Sequence, residues 1–398
     1  MPDINVVLAG GLRDRQGLGL SRHLPTTTRP RIDLGSNDYL GLATNPAVID
    51  AANEAVRKYG AGSTGSRLIS GNIEIHEALE ADLAALKHAE AALLFPSGYQ
   101  AAVGTIPALV GPGDLVLSDE LNHASLIDGC RMSKANVKIY SHNNIAELQE
   151  LLAGRRYARR CLILTDGVFS MDGDVADLAS IASLKTEFDA WLMVDDAHGT
   201  GVIGETGAGS AEYCGALSKV DVHLGTLSKA LGASGGFVAG SRVVIDHLIN
   251  NARSFIYSTG PSPASSGAAL ASLKIIKDEP DRRLLLRDNA DYLRRSLRSI
   301  GFPVANGVTP IIPVVIGGAE SVMRLADHLR DRFGVVGIRP PTVPEGTSRL
   351  RLTVKATHSH AQIDEAIGEL DSALRKFGWR QFVLDGFESE PEVAHASV

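Results

Sequence analysis

One lysine lies in a segment whose composition is suited to covalent chemistry. Lys229 falls within residues 220–236, where a short β-rich run at 220–224 is followed by small and hydroxyl side chains that cannot form a salt bridge with it. Burial of an amine without a carboxylate partner favours the neutral form, and a neutral amine condenses with an aldehyde. For this segment alone, a solvated lysine in a glycine-rich loop is the simpler interpretation.

Two carboxylates and a histidine follow another short apolar run. Residues 191–194 lead directly into Asp195 and Asp196, and His198 comes shortly afterwards. A carboxylate at the end of a buried strand is costly unless a cation accompanies it. A protonated pyridine nitrogen is such a cation, and His198 would then reach a phenolic oxygen on the same ring. A paired-carboxylate or metal site is the alternative, although no further ligand stands at a matching spacing.

The turn after residues 91–95 opens a predicted helix. Its first residues are Ser97, Gly98 and Tyr99. Free backbone amides and the helix dipole at such a position favour a phosphate group. Turns of this kind also occur without any ligand, so the motif is weak by itself.

Two more polar residues follow predicted strands. His123 comes after the strand at 115–118, and Ser170 after the strand at 161–165. An imidazole at a strand end can stack on a planar aromatic ligand, although a single histidine is more often structural. For Ser170 alone, a turn is the simpler interpretation.

Taken together, these groups match the demands of one cofactor. With Thr226, they offer a phosphate site, an imidazole to stack on a ring, a carboxylate for a pyridine nitrogen, a second imidazole for a phenolic oxygen and an amine for an aldehyde. Pyridoxal 5'-phosphate requires all of these partners. We therefore predict this cofactor, with no metal, and a covalent role for Lys229.

These side chains follow the strands of one predicted sheet. Short apolar runs separated by helical stretches are typical of an α/β fold with a mostly parallel sheet covered by helices on both faces. The seven predicted strands are residues 91–95, 115–118, 137–140, 161–165, 191–195, 220–224 and 237–239. Ligands bind at the carboxyl ends of the strands in such sheets, which is where the polar residues stand.

The length predicts two domains, because 398 residues exceed the roughly 250 to 300 residues that one core supports. We expect an N-terminal arm at 1–45, a large cofactor-binding domain at 46–285, a smaller C-terminal α/β domain at 286–380 and a poorly ordered tail at 381–398. The small domain should contain strands at 311–316 and 349–354 and helices at 320–333 and 361–377.

Composition excludes several classes of protein. A formal charge of −7 without basic runs argues against nucleic acid as a partner. Three scattered cysteines give neither a disulfide framework nor a metal motif. No apolar run approaches the ~20 residues that span a bilayer, and no secretory signal is recognisable. We expect a soluble, cytoplasmic protein.

Several motifs resemble those of the α-oxoamine synthases, a family of fold type I pyridoxal-phosphate enzymes. They are Ser-Asn-Asp-Tyr-Leu-Gly at 36–41, Asn-His-Ala-Ser at 122–125, Asp-Gly-Val-Phe-Ser-Met-Asp-Gly at 166–173, Asp-Asp-Ala-His-Gly-Thr-Gly at 195–201, Ile-Tyr-Ser-Thr at 256–259 and Ile-Arg-Pro-Pro-Thr-Val-Pro at 338–344. The resemblance implies condensation of an amino acid with an acyl thioester of coenzyme A or a carrier protein, with loss of carbon dioxide. The Gly-Thr-Gly after His198 and the proline-rich run favour alanine and a pimeloyl thioester over glycine and acetyl-coenzyme A.

The resemblance also implies roles for individual residues. Catalysis would use Lys229, His123, Asp195 and His198. The cofactor would further contact Ser97, Gly98, Tyr99, Ser170 and Thr226. The substrates would contact Arg22, Asn37, His123, Thr342 and Arg351. In a homodimer with the site at the interface, the loop at 60–71 and the segment carrying Ser258 and Thr259 would reach the partner's cofactor.

Three other functions stay open on the sequence. The chain could be another member of the same family, such as one joining glycine to acetyl-coenzyme A. It could be an aminotransferase of the same fold, or a non-catalytic subunit that retains the fold. Retention of Lys229, Asp195 and His198 together argues against the last of these.

Overall fold

A seven-stranded sheet lies at the centre of the larger part of the chain. The computed structural model describes residues 3–17, 20–21, 24, 32–155 and 158–378. The strands are β1 (Ala91–Phe95), β2 (Leu115–Asp119), β3 (Asn136–Tyr140), β4 (Cys161–Asp166), β5 (Trp191–Asp195), β6 (Val222–Thr226) and β7 (Gly236–Gly240). Strands β1, β2, β4, β6 and β7 are buried along their whole length. Burial on both faces explains their continuous apolar sequences.

The strand order brings the polar strand ends together. The order is β1-β7-β6-β5-β4-β2-β3, and only β7 runs against its neighbours. Asp166 at the end of β4 is the register partner of Asp195 at the end of β5. Asp195 is in turn the register partner of Leu224 in β6. The carboxyl ends of the parallel strands therefore form one edge of the sheet.

Most of the helices cover the faces of this sheet or pack against the C-terminal sheet. They are α1 (Ile4–Gly17), α2 (Pro46–Tyr59), α3 (Glu74–Leu86), α4 (Gly98–Leu109), α5 (Ala124–Ser133), α6 (Ile145–Ala153), α7 (Leu178–Glu187), α8 (Ser210–Tyr213), α9 (Arg242–Asn251), α10 (Arg253–Ile256), α11 (Pro263–Asp278), α12 (Asp281–Ser299), α13 (Ala319–Phe333) and α14 (His360–Lys376). Helices α4, α5 and α9 share one hydrophobic cluster with the sheet. Helices α3, α6, α7 and α11 contribute to clusters on the opposite face.

A second sheet forms the core of the C-terminal part. Strands β8 (Ile311–Gly317), β9 (Val336–Ile338) and β10 (Ser348–Thr353) pair in the antiparallel order β8-β10-β9. Helices α13 and α14 pack beside it, and Ile363, Ile367 and Leu370 of α14 are buried at the spacing of an amphipathic helix. We call this part the small domain.

The segment at 32–42 joins the small domain to the large one. The Leu34 N–H donates to the Phe333 carbonyl (2.8 Å), and the Thr353 N–H donates to the Leu34 carbonyl (2.7 Å). Leu40 and Tyr39 are fully buried. These contacts fix the Ser-Asn-Asp-Tyr motif between the two sheets.

The structure confirms the predicted α/β fold with a mostly parallel seven-stranded sheet and a smaller α/β domain. The sixth strand begins and ends two residues later than the sequence predicts, so Thr226 ends β6 rather than following it. The sequence pattern does not predict α1 or β9. The domain boundaries after residues 45 and 285 stay predictions, and the predicted tail at 381–398 lies outside the described residues. Among the helices of the described residues, none is long and apolar enough to cross a membrane.

Candidate active site

A cavity of about 230 Å³ opens at the carboxyl edge of the large sheet. Eight of the predicted site residues line it: Ser97, Gly98, Tyr99, His123, Asp195, His198, Thr226 and Lys229. Clefts of about 610 and 490 Å³ lie elsewhere, but neither contains a lysine. The smaller cavity is therefore the candidate active site.

The Lys229 amine lies in the turn between β6 and β7. Its Nζ is 2.8 Å from His198 Nε2. Burial lowers the pKa of Lys229 to about 8, and the negative charges of Asp195 and Asp166 only partly oppose this effect. Within the described part of the chain, no carboxylate forms an ion pair with this amine. Lys229 thus exchanges its proton near neutral pH.

Two buried carboxylates face the same cavity. Asp195 and Asp166 end neighbouring strands in register, and both line the cavity. Burial raises the pKa of Asp195, and burial together with the nearby charge of Asp195 raises the pKa of Asp166 well above its usual range. The Ala197 N–H donates to Asp195 Oδ1 (3.0 Å). A cationic ligand beside Asp195 would restore its ionised form.

His198 connects Lys229 to Tyr39, a residue whose role the sequence does not predict. Its Nδ1 is 2.7 Å from the hydroxyl of Tyr39. Burial and the positive charge of Lys229 hold the pKa of His198 well below its usual range, so the ring is neutral. Burial raises the pKa of Tyr39 to about 12, so the hydroxyl keeps its proton. The one sequence signal for Tyr39 is its place in the 36–41 motif.

Asp196 points away from the cavity. Its Oδ2 accepts from Lys87 Nζ (2.7 Å), and both side chains are buried. Lys87 also donates to the Thr200 hydroxyl (2.8 Å) and to the Ala208 carbonyl (2.6 Å). The contacts of Lys87 hold the turn that carries His198. Among the described residues, no cluster of His, Cys, Asp and Glu is arranged to hold a metal ion.

The opposite end of the cavity is suited to an anion. Ser97 caps α4 by accepting from the Gln100 N–H (3.1 Å). Thr226 Oγ1 lies 2.7 Å from the Ser228 hydroxyl. A methyl group added to Gly236 would come within 2.6 Å of the Gly98 nitrogen, so small residues are required for this close approach. The N-terminus of α4 and the two hydroxyls form a site of the kind that binds phosphate.

His123 lies over the cavity at the start of α5. Its Nδ1 accepts from the Ser125 N–H (3.2 Å), which fixes the orientation of the ring. The His123 N–H donates to Asp166 Oδ1 (3.4 Å). Burial lowers the pKa of the imidazole. A neutral, oriented ring in this position can stack on a flat ligand.

Arg351 comes from the small domain and is buried. Its Nη1 and Nη2 donate to Asn37 Oδ1 (3.1 Å each), Nη2 donates to the Tyr39 hydroxyl (3.3 Å), and Nε donates to the Ser170 carbonyl. In the described residues no carboxylate pairs with this guanidinium, whereas Arg349 pairs with Asp172. The arginine face of β10 is therefore turned toward the large domain and is not solvated.

The remaining predicted residues lie outside the cavity lining. Ser170 meets Arg351 through its carbonyl, and Thr342 is exposed in the loop after β9. Ser258 accepts from Gln100 Nε2 (3.2 Å), while Thr259 forms a β-bridge with Ser66. Arg22 lies outside the described residues.

Comparison with known proteins identifies the family. The model of aminotransferase class I and II matches residues 29–370. The chain belongs to this family. Over 349 residues it is 50% identical to 8-amino-7-oxononanoate synthase of Geotalea daltonii, an alignment that covers 87% of this chain and 89% of that protein.

Solved structures of serine palmitoyltransferases share the fold. Serine palmitoyltransferase of Sphingomonas wittichii superimposes with a TM-score of 0.89 at 30% identity, covering 95% of this chain and 99% of that one. A structure described as SPT with PLP internal aldimine gives a TM-score of 0.89 at 29% identity, covering 95% and 100% of the two chains. The predictions of fold type I, of pyridoxal phosphate as cofactor and of an enzyme similar to 8-amino-7-oxononanoate synthase are confirmed. The amine, the buried carboxylate and the anion site of the cavity fit that cofactor.

We expect Lys229→Met to stabilise the cofactor-free protein at pH 7. The folded-state pKa of about 8 lies below the ordinary 10.5, so folding weakens proton binding at Nζ. This cost is fully present below pH 8 and disappears as the pH rises through 10.5. Urea unfolding at pH 7 should give the variant a free energy of unfolding higher by about 1 to 2 kcal/mol, after allowance for the lost hydrogen bond to His198.

Lys185→Met is the matched control, because Lys185 forms an ion pair with Asp221 (2.7 Å). It should leave stability unchanged or lower it at pH 7. A Lys229→Met variant that is less stable than the wild type at pH 7 would contradict the desolvation of this amine.

Proposed function

We propose that this enzyme joins L-alanine to a pimeloyl thioester, giving 8-amino-7-oxononanoate, carbon dioxide and a free thiol. The thiol is coenzyme A or a carrier protein, and the reaction is a step of biotin biosynthesis. The name and 50% identity of the Geotalea daltonii relative support this choice. So do the Gly-Thr-Gly after His198 and the Arg-Pro-Pro-Thr-Val-Pro run at 339–344.

The observation that carries the proposal is a chain of contacts from an arginine to an amine. Arg351 Nη2 meets the Tyr39 hydroxyl (3.3 Å), which meets His198 Nδ1 (2.7 Å), while His198 Nε2 meets Lys229 Nζ (2.8 Å). A buried guanidinium binds a carboxylate through two parallel hydrogen bonds. An amino acid with its carboxylate at Arg351 and Asn37 would place its Cα beside Lys229.

The cavity residues would hold the cofactor at both ends. Ser97, Gly98 and Thr226 would bind the phosphate at the N-terminus of α4, with Tyr99 beside them. Asp195 would hold the proton on the pyridine nitrogen, because two buried opposite charges stabilise each other. His198 would contact the phenolic oxygen, and His123 would stack on the ring. Ser170 would lie near the cofactor and Thr342 near the substrate.

The lysine performs the proton transfers. Pyridoxal phosphate supplies an aldehyde for the substrate amine and a conjugated ring that takes up the electron pair left at Cα. Lys229 Nζ, in its neutral form, would take the Cα proton as general base. The pKa of about 8 suits this role because the amine exchanges protons near neutral pH. The Cα would then bond to the thioester carbonyl carbon, which expels the thiolate, and carbon dioxide would leave the same Cα. Lys229 would return its proton to that carbon.

We also propose a homodimer with the site at its interface. The loop at 60–71 and the segment at 257–260 pair with each other, since Ser66 bridges Thr259 and the Gly260 N–H donates to the Gly65 carbonyl (2.9 Å). Large apolar side chains protrude from this surface: Leu68, Ile69 (85% exposed) and Tyr257. Exposed apolar patches of this kind mark protein interfaces. Ser258 and Thr259 would then contact the partner's cofactor.

A panel of amino acids and acyl thioesters tests the reaction. Purified, cofactor-loaded protein should release thiol and carbon dioxide in equal amounts with alanine and pimeloyl-coenzyme A or a pimeloyl carrier protein. Glycine with acetyl-coenzyme A should react at least tenfold more slowly. Formation of a keto acid without consumption of thioester would instead identify an aminotransferase.

Arg351→Ala serves as the site variant in the same assay. Loss of two charge-assisted hydrogen bonds, each worth about 1.5 to 3 kcal/mol, should raise the KM for alanine by a factor of ten or more. Arg375→Ala, which removes an exposed ion pair with Asp371, is the control and should leave this KM unchanged.

Ile69→Asp tests the proposed interface. The wild-type protein should sediment as a dimer, and a charge on this apolar surface should shift it toward monomers and lower the activity in parallel. Ile139→Asp, at another exposed apolar residue (65%) on the edge strand β3, should remain dimeric. A monomeric wild-type protein with full activity would rule out the shared site.

A further inference from the structure

A histidine outside the cavity bridges two carboxylates. His142 follows β3, and its Nδ1 lies 3.1 Å from Asp119 Oδ1 while its Nε2 lies 2.8 Å from Asp174 Oδ2. The edge of the ring packs on Phe169 with 4.3 Å between the ring centroids. Its backbone N–H donates to Glu120 Oε1 (2.8 Å), so a third carboxylate faces this residue.

The nearest partner of each ring nitrogen is a carboxylate oxygen, so the bridge is complete only when both nitrogens carry hydrogen; the Asn143 Nδ2 donor is farther from Nε2 (3.5 Å). A neutral imidazole has only one N–H and would leave one carboxylate without a donor. Burial disfavours the charged ring, but the hydrogen bonds and charges of Asp119 and Asp174 outweigh it and raise the pKa of His142 to about 10. The bridge is therefore an imidazolium between two carboxylates at neutral pH.

The two carboxylates belong to the two segments that carry site residues. Asp119 ends β2 and opens the turn to His123, accepting from the Leu121 N–H (2.9 Å). Asp174 belongs to the hairpin at 168–175, which is closed by the Val168–Val175 bridge. Protonated His142 thus ties the turn before His123 to this hairpin.

The hairpin is also where the small domain meets the large one. The Ser170 carbonyl accepts from Arg351 Nε, and Asp172 pairs with Arg349. The Gly173 carbonyl accepts from the Thr309 hydroxyl (2.6 Å). A displacement of the hairpin would therefore move the guanidinium of Arg351.

Asn143 strengthens the same connection. Its backbone is left-handed (φ 53°), a conformation that asparagine tolerates better than most residues. In that conformation its N–H donates to Asp119 Oδ2 (3.0 Å) and its Nδ2 donates to Asp174 Oδ2 (3.2 Å). Two consecutive residues thus bind the same pair of carboxylates.

We propose that His142 is a positioning residue for the amino-acid carboxylate site. Its imidazolium holds the 168–175 hairpin against the large domain, and the hairpin orients Arg351 through the Ser170 carbonyl. The proposal rests on the proposed role of Arg351. Loss of the bridge weakens binding of the amino acid most, because Arg351 donates directly to the hairpin. The turn before His123 keeps the bonds that Asp119 accepts from the Leu121 and Asn143 N–H groups, and Val168 at the base of the hairpin is the part that lines the cavity.

His142→Gln is the direct test, since glutamine keeps a polar side chain but removes the charge and the second ring donor. In the cofactor-free protein, amide hydrogen exchange of peptides covering 168–175 should be at least tenfold faster than in the wild type. In the loaded enzyme, the KM for alanine should rise about tenfold, while kcat, the KM for the thioester and the affinity for the cofactor should stay within twofold.

His360→Gln is the matched control, because His360 also pairs with a carboxylate, Asp288 (2.9 Å), but on the surface of the small domain. It should change neither exchange at 168–175 nor the KM for alanine. Asp174→Asn, which alters a more exposed side chain of the same bridge, should reproduce the effects of His142→Gln if the latter variant folds poorly.

Spectra of protein with nitrogen-15 in its histidines test the charge separately. The His142 resonances, assigned by their absence from His142→Gln, should remain those of an imidazolium at pH 8; a midpoint near 6.5 would overturn the proposal. Unchanged exchange and alanine KM in both bridge variants would also overturn it. If Arg351→Ala left the KM for alanine unchanged, the carboxylate site itself would be wrong, whereas the exchange and the spectra would still report on the bridge.

Discussion

The site depends on the desolvation of one amine. Lys229 lies at the carboxyl edge of the sheet with a pKa lowered by burial to about 8, facing two carboxylates whose pKa values burial raises. Each of these groups is costly to bury alone, and none has an ion-pair partner among the residues that the structure describes. The arrangement is stable only because the sheet and its helices already determine these positions, and a bound cationic ring would relieve part of its cost.

Charged residues that neighbour the site residues in sequence are paired with partners outside the cavity. Asp196, adjacent in sequence to Asp195, is paired with the buried Lys87. Arg349, two residues from Arg351, is paired with Asp172. In each pair of like charges, one residue has an ion-pair partner, whereas the other, Asp195 or Arg351, remains able to bind a ligand. The small domain, the 32–42 segment and the 168–175 hairpin then hold Arg351 at the edge of the cavity.

Much of the fold follows from short-range pattern, whereas several site contacts do not. Apolar runs that end in charged or small residues predict all seven strands of the large sheet. They also predict that Lys229, Asp195 and His198 lie at the same edge of that sheet. Tyr39 is 159 residues from His198, and Lys87 is 109 residues from Asp196. No local pattern relates residues so far apart, and a lysine at a helix end is ordinarily solvated. The two-residue shift of β6 has another cause: a fully buried strand lacks the alternation of apolar and polar residues that would mark its ends in the sequence.

The central claim is that Lys229 is the residue to which the cofactor binds. Reduction of the cofactor-loaded protein with borohydride, followed by proteolysis and mass spectrometry of the labelled peptide, tests it most directly. We predict that the cofactor is fixed to the peptide that contains Lys229 and that Lys229→Met protein carries no label. A label on another lysine, such as Lys185, would contradict the account.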